Sequence, residues 1–214
     1  MTIEFFQGEN TPFLWCVRLI LEHKRLSYEL NLSPLQSVAL NDQELLNFPP
    51  NNKAPIIIDD NFMACETLTV VDYLEGKYPQ HSVYPSNLRD LTTMRRLSNS
   101  GYSYLYPALR KLLNLISEEC REEEVITLAL EDLVIQINSF EEELQGNYFL
   151  GENISTADFV IYPLLALVKH IEEHIPEITV ELFFCPKISA FIDRFQQLPY
   201  FNKTTPATKY KIFL

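Results

Sequence analysis

The stretch Ala54-Pro55-Ile56-Ile57-Ile58-Asp59-Asp60-Asn61-Phe62-Met63-Ala64-Cys65-Glu66-Thr67 decides how the first third of this chain folds. Pro55 has no ladder donor and suits the first position of a strand, and the isoleucine run behind it is β-branched. Asp59-Asp60-Asn61 reads as a turn, so Phe62 to Cys65 is expected to return as the partner strand of a hairpin. Glu66-Thr67 then opens a helix, because Leu68, Val71 and Leu74 keep helical spacing.

Working back from the hairpin, Pro49-Pro50 and the polar Asn51-Asn52-Lys53 close a short helix expected over Asn41 to Phe48. At the start of the chain Ile3 to Phe6 reads as a strand, and Gln-Gly-Glu-Asn follows as a turn. Thr11 is a good N-cap and Pro12 suits the first helical position, so a helix should run from there to about Lys24. Tyr28 to Leu32 makes a second strand. The resulting order is β-α-β-α-β-β-α.

Working forward, Gly76 to Arg89 is polar and carries Pro79 and Pro85, which marks a linker. Beyond it the segments near Asp90–Ser117, Glu123–Leu144, Ser155–His174 and Lys187–Gln197 all show helical periodicity without strand alternation. The fold class expected is therefore α+β: a mixed domain over 1–78, a linker over 79–89, and an all-helical domain over 90–214. Within the second half, Ser155 and Asp158 have the spacing of a capping box, and Ile154 with Phe159 can form its hydrophobic staple. That signal is structural.

Seventeen Lys and Arg against twenty-nine Asp and Glu give a formal charge of -12, which disfavours direct binding to nucleic acid or anionic lipid. A composition 47% hydrophobic and 21% charged belongs to folded globular chains. The cysteines Cys16, Cys65, Cys120 and Cys185 are widely spaced and read as reduced thiols. The N-terminal residues lack a basic region followed by an apolar core, and the longest apolar run, Phe159 to Val168, is too short to span a bilayer. The expectation is a cytoplasmic protein that does not insert into a membrane.

Four stretches in this order resemble the glutathione transferase superfamily over nearly the whole chain: Thr11 to Arg18, Leu21 to Glu29, Lys53-Ala54-Pro55 through Glu66-Thr67, and Ile154 to Asp158. The resemblance is to its Ser/Cys type, of bacterial kind. It implies a thioredoxin-like N-terminal domain followed by a helical one, glutathione as co-substrate and no metal. It also implies a homodimer in which the first domain of one subunit meets the helical domain of the other.

The resemblance implies site residues as well. Ala54 would pair through its backbone with the cysteinyl part of glutathione, turned outward by a cis bond to Pro55; the alternative is a trans proline opening an edge strand. Glu66 would take the ammonium of the glutamyl end, while the Thr67 hydroxyl and the helix-start N–H groups would take its carboxylate. The alternative is that Thr67 only caps the helix and Glu66 is solvated. Lys53 is a candidate for the glycyl carboxylate. Phe13, Tyr102 and Tyr106 are candidate lining residues of a pocket for a small hydrophobic electrophile, expected between the domains.

Thr11 falls where related classes place the Ser or Cys that activates the glutathione thiol. Activation needs a donor beside the sulfur and the positive end of the first helix. Thr11 is a departure, since its methyl group restricts the rotamer that aims the hydroxyl. Two readings stand: thiolate donor, or N-cap alone.

His170-Ile171-Glu172-Glu173-His174 fits H-x-x-E-H, an inverted zinc-peptidase pattern, but it lies late in an amphipathic helix with no third-ligand motif and reads as a solvated helix face. Two functions therefore compete. One is a glutathione transferase that activates the thiol for attack on a small electrophile. The other is a non-catalytic relative acting by protein–protein interaction, as in the stringent starvation protein A group, which keeps the fold and associates with RNA polymerase.

Overall fold

The computed structural model describes residues 2–6, 11–31, 55–117, 122–174 and 185–206. It separates into two compact units, Met1–Ser82 and Val83–Leu214. The first unit is built on a four-stranded sheet of order β2-β1-β3-β4, with β1 at Ile3–Phe6, β2 at Tyr28–Asn31, β3 at Ile56–Asp59 and β4 at Phe62–Cys65. β1 and β2 are parallel with Ile3 opposite Tyr28. β3 runs antiparallel to β1 with Ile56 opposite Phe6, and β4 antiparallel to β3 with Cys65 opposite Ile56. The hairpin turn places Asp60 and Asn61 at φ 51° and 64°, the left-handed pair that a two-residue loop between twisted strands requires.

Helix α1 spans Pro12–His23 and α2 spans Thr67–Lys77, and the two pack against each other. Phe5, Phe6, Cys16, Val17, Leu19, Ile56, Val70 and Leu74 are fully buried and form the core between them and the sheet. The Asp59 carboxylate, buried at the end of β3, accepts hydrogen bonds from Tyr73 (3.0 Å) and Tyr78 (2.8 Å), and Lys77 Nζ lies 2.8 Å away. Burial alone would raise its pKa. The hydrogen bonds from Lys77, Tyr78 and Tyr73 outweigh that and hold it below the usual carboxylate value. The hairpin is thereby tied to the last turn of α2. The helix expected over residues 41–48, the turn over 7–10 and Cys120 lie outside the described residues.

The second unit is helical: α3 (Leu88–Ser100), a π-helical turn (Gly101–Leu105), α4 (Tyr106–Ser117), α5 (Glu123–Glu143), α6 (Thr156–His174), α7 (Pro186–Gln196) and the short α8 (Phe201–Thr204). One helix was expected across Asp90–Ser117, and the chain does continue helically there, but with a widened turn in which Tyr106 N–H donates to the Gly101 carbonyl. Pro107 explains the widening: it offers no N–H to Ser103, and in a regular helix its ring would press on that carbonyl. Gly101 permits close packing here, since a Cβ at this position would come 3.1 Å from Val160 Cγ1.

α6 is the central helix of this unit, and its N-terminus departs from the reciprocal capping box. The Asp158 carboxylate accepts from Ser155 N–H (2.7 Å), from the Ser155 hydroxyl (2.9 Å) and from Phe149 N–H (2.9 Å). Asp158 N–H goes to the Ser155 carbonyl instead of the hydroxyl. The hydroxyl proton is drawn to the carboxylate because Asp158 is completely buried and needs every donor within reach. Thr156 N–H reaches the Val83 carbonyl at 3.0 Å, anchoring the start of the unit. Tyr162 stacks on Phe195 with ring centroids 4.0 Å apart, joining α6 to α7. Among the described residues no helix is long and apolar enough to cross a membrane.

Candidate functional site

The parallel pairing of β1 and β2 requires α1, which connects them, to run back along the sheet. Thr11 therefore sits at the C-terminal end of β1. β3 is antiparallel to β1, so Pro55 enters the sheet at that same end, and β4 returns there with Cys65, Glu66 and Thr67. Two helix N-termini, those of α1 and α2, consequently share one end of the sheet with Pro55.

Thr11 has extended backbone geometry, φ -116° and ψ 158°, and its Oγ1 accepts from Leu14 N–H at 3.3 Å. It is an N-cap. That bond uses a hydroxyl lone pair and leaves the hydroxyl hydrogen for donation elsewhere, so capping and donation to a sulfur are compatible in one side chain. No acidic residue lies in the first turn of α1 to offset the positive end of its dipole.

Glu66 stands at φ 70° and ψ 131°, a region that L-residues with a Cβ rarely occupy. It takes the N-cap position of α2 without a side-chain cap bond, and its side chain is exposed. Thr67, the first helical residue, is buried, with 5% relative exposure, so it does not occupy the capping position. The first turn of α2 holds no acid either. Its leading N–H groups therefore keep the donor capacity and partial positive charge suited to a carboxylate.

Pro55 is buried, whereas Lys53 and Ala54 lie outside the described residues. Phe13 is half-buried on α1. Tyr102 and Tyr106 belong to the second unit, each half-buried, one inside the π turn and the other directly after it. Cys65, half-buried beside Glu66, has its thiol pKa pushed up by burial and then by the Glu66 charge, which keeps it a poor nucleophile. Cys16 is fully buried. His170 is half-buried on α6, and among the described residues no group of three or more His, Cys, Asp or Glu side chains is gathered to hold a metal ion. The backbone geometry of Glu66 carries no sequence signal, since glutamate is not a residue that announces a left-handed position.

Residues 8–82 match the glutathione S-transferase N-terminal domain family, and residues 117–203 match the glutathione S-transferase C-terminal domain family. A zeta-class glutathione S-transferase from Euphorbia esula is 25% identical over 191 residues, covering 89% of this chain and 84% of that protein. A stringent starvation protein A homolog from Haemophilus influenzae is 25% identical over 171 residues, covering 78% and 74%. Among solved structures, a glutathione transferase homolog from Lodderomyces elongisporus with two GSH per subunit superposes with a TM-score of 0.77 at 17% identity, covering 95% of this chain and 97% of that one.

Proposed function

Because this chain belongs to the glutathione S-transferase superfamily, we propose that it binds glutathione at the shared sheet end and activates its thiol for attack on a small hydrophobic electrophile. The observation that carries this reading is the strained backbone of Glu66 at the side-chain-uncapped start of α2. Strain of this kind costs about 1–3 kcal/mol and persists where a local arrangement demands it. Here it leaves an exposed carboxylate beside open N–H donors, a matched pair for the ammonium and carboxylate of the glutamyl end. Ala54 and Lys53 would take the cysteinyl backbone and the glycyl carboxylate, with Pro55 setting the strand entry.

In the reaction, the thiol loses its proton to solvent and Thr11 donates its hydroxyl hydrogen to the resulting thiolate, helped by the N-terminus of α1. The sulfur then forms a bond to the electrophilic carbon, whose leaving group departs with the bonding electrons. Phe13, Tyr102 and Tyr106 would line the site of the electrophile, and the protein would work in the cytoplasm as a homodimer.

A second reading is favoured by Thr11 itself, since the family position for Ser or Cys holds a residue with a restricted hydroxyl. In that reading the chain is a non-catalytic interaction protein, as the similarity to a stringent starvation protein A homolog allows. Retention on immobilised glutathione followed by turnover of a generic aryl halide separates the two. Retention with turnover supports the transferase; retention without turnover supports the second reading; failure to be retained removes the glutathione site.

A further inference from the structure

Helix α5 carries seven acidic side chains and no basic one. Its inner side is set by Ala129, Leu133, Ile137 and Phe140, all buried. Successive residues turn by about 100°, so the opposite side collects Glu124, Leu128, Glu131, Ile135, Asn138 and Glu142 within an arc of about 80°. All six are exposed. They follow one another in alternate steps of four and three residues, the spacing at which one helix meets another along a seam. Leu128 and Ile135, 57% and 64% exposed, hold the same seam position one heptad apart, with Glu131 between them.

Acids of α5 that lie off this stripe serve the helical unit itself. The Glu141 carboxylate accepts from the N–H groups of Lys187 (3.1 Å) and Ile188 (2.8 Å) at the start of α7, and Glu143 Oε2 lies 2.7 Å from Arg96 Nη2. Among the described residues no hydrogen bond or ion pair engages Glu124, Glu131 or Glu142. On the stripe only Asn138 has such a partner, the Cys185 thiol, which donates to its Oδ1 at 3.1 Å. The acids with no local task are thus those that share a face with the open apolar side chains.

We propose that this face docks a basic amphipathic helix of another protein, with Lys or Arg side chains against Glu124, Glu131 and Glu142 and apolar side chains over Leu128 and Ile135. Burial of the apolar pair supplies the attraction, and the acids choose the partner. A second copy of the same face is excluded by those acids, since it would set carboxylate against carboxylate or against Ile135. A basic helix answers both kinds of position at once. The face belongs to the helical unit and serves either reading of Thr11.

Fluorescence anisotropy tests it with a labelled helical peptide of about three heptads, leucine at one seam position and lysine at the other, beside the same peptide with glutamate for lysine. The lysine peptide is expected to bind the native chain and the glutamate peptide is not. Leu128→Ser/Ile135→Ser keeps every charge and should weaken the lysine peptide more than about tenfold, because two apolar side chains no longer leave water. Glu124→Lys/Glu131→Lys should reverse the choice and bind the glutamate peptide. All four positions are exposed, so both variants should keep the circular dichroism of the native chain. No binding of the lysine peptide overturns the docking face. Binding that survives Leu128→Ser/Ile135→Ser is attraction to the net charge of -12 and overturns it too, as does a charge variant that fails to switch. A native mass on light scattering that drops with Leu128→Ser/Ile135→Ser puts a second copy over the stripe, which again overturns the partner helix.

Discussion

Lys24 Nζ lies 2.5 Å from Glu75 Oε1, with the lysine side chain wholly buried and the glutamate nearly so. The pair joins the end of α1 to α2. Lys24 also donates to the Gln80 carbonyl at 3.2 Å, and Glu75 accepts from the Ser82 hydroxyl at 2.5 Å, so the last residues of the first unit are fastened to the same point. Removing one charge leaves the other buried without its partner, which costs about 3–5 kcal/mol, whereas replacing both by apolar residues is much milder. Urea unfolding of Lys24→Met is expected to show a loss of that order, with most of it recovered in Lys24→Met/Glu75→Leu. Equal losses in the two variants would show that the ion pair is not the source.

Thr11→Ala separates the two roles of the hydroxyl. Loss of the cap at Leu14 N–H lowers stability by about 1 kcal/mol. Loss of a donor to the bound sulfur raises the glutathione thiol pKa, one unit corresponding to about 1.4 kcal/mol, and turnover near neutral pH falls in step. Thr11→Ser keeps both functions and frees the rotamer, so its activity should equal or exceed that of the native chain. Ultraviolet titration of the bound thiolate in all three proteins reads this directly, and identical curves would assign Thr11 to capping alone.

Glu66→Gly and Glu66→Ala should diverge in stability and agree in binding. Glycine adopts φ 70° without strain, so Glu66→Gly is expected to be about 1 kcal/mol more stable than Glu66→Ala. Both lose the carboxylate and should bind glutathione about 1–3 kcal/mol more weakly by calorimetry. Unchanged affinity in both would remove Glu66 from the site.

Asp158 makes stability depend on pH in an unusual direction. Burial pushes its pKa up from 3.8 to about 6, against the opposing pull of its hydrogen bonds from Phe149 and Ser155. The folded state therefore holds the proton more tightly than the unfolded one, and its contribution is present below pH 3.8 and lost as pH rises through about 6. The half-buried His23, pushed down to about 4 by burial and then by His81 and Lys24, acts oppositely and weakens the fold as pH falls from 6.5. The test is thus a difference: the stability gap between the native chain and Asp158→Asn should narrow by about 2 kcal/mol from pH 4 to pH 7. A gap constant across that range would mean that Asp158 does not titrate there.

What the sequence determined by itself was everything set by neighbours along the chain. Ile56 to Thr67 showed its strand, turn, strand and helix because β-branching, turn residues and periodicity act over a few positions. Thr11-Pro12 showed a helix start for the same reason, and the second half showed its helices through spacing alone. The tertiary structure decided what depends on distant partners or on backbone strain. Lys24 meets Glu75 across 51 positions, and neither residue signals the other in sequence. Asp158 was legible as a cap, but its third donor, Phe149 N–H, arrives from a preceding loop and changes how Ser155 is used. The strained Glu66 is likewise a product of packing, since it holds a conformation that its own residue type does not prefer. A local energy term can be read from adjacent residues; a buried charge or a strained dihedral exists only because the surrounding fold holds it there.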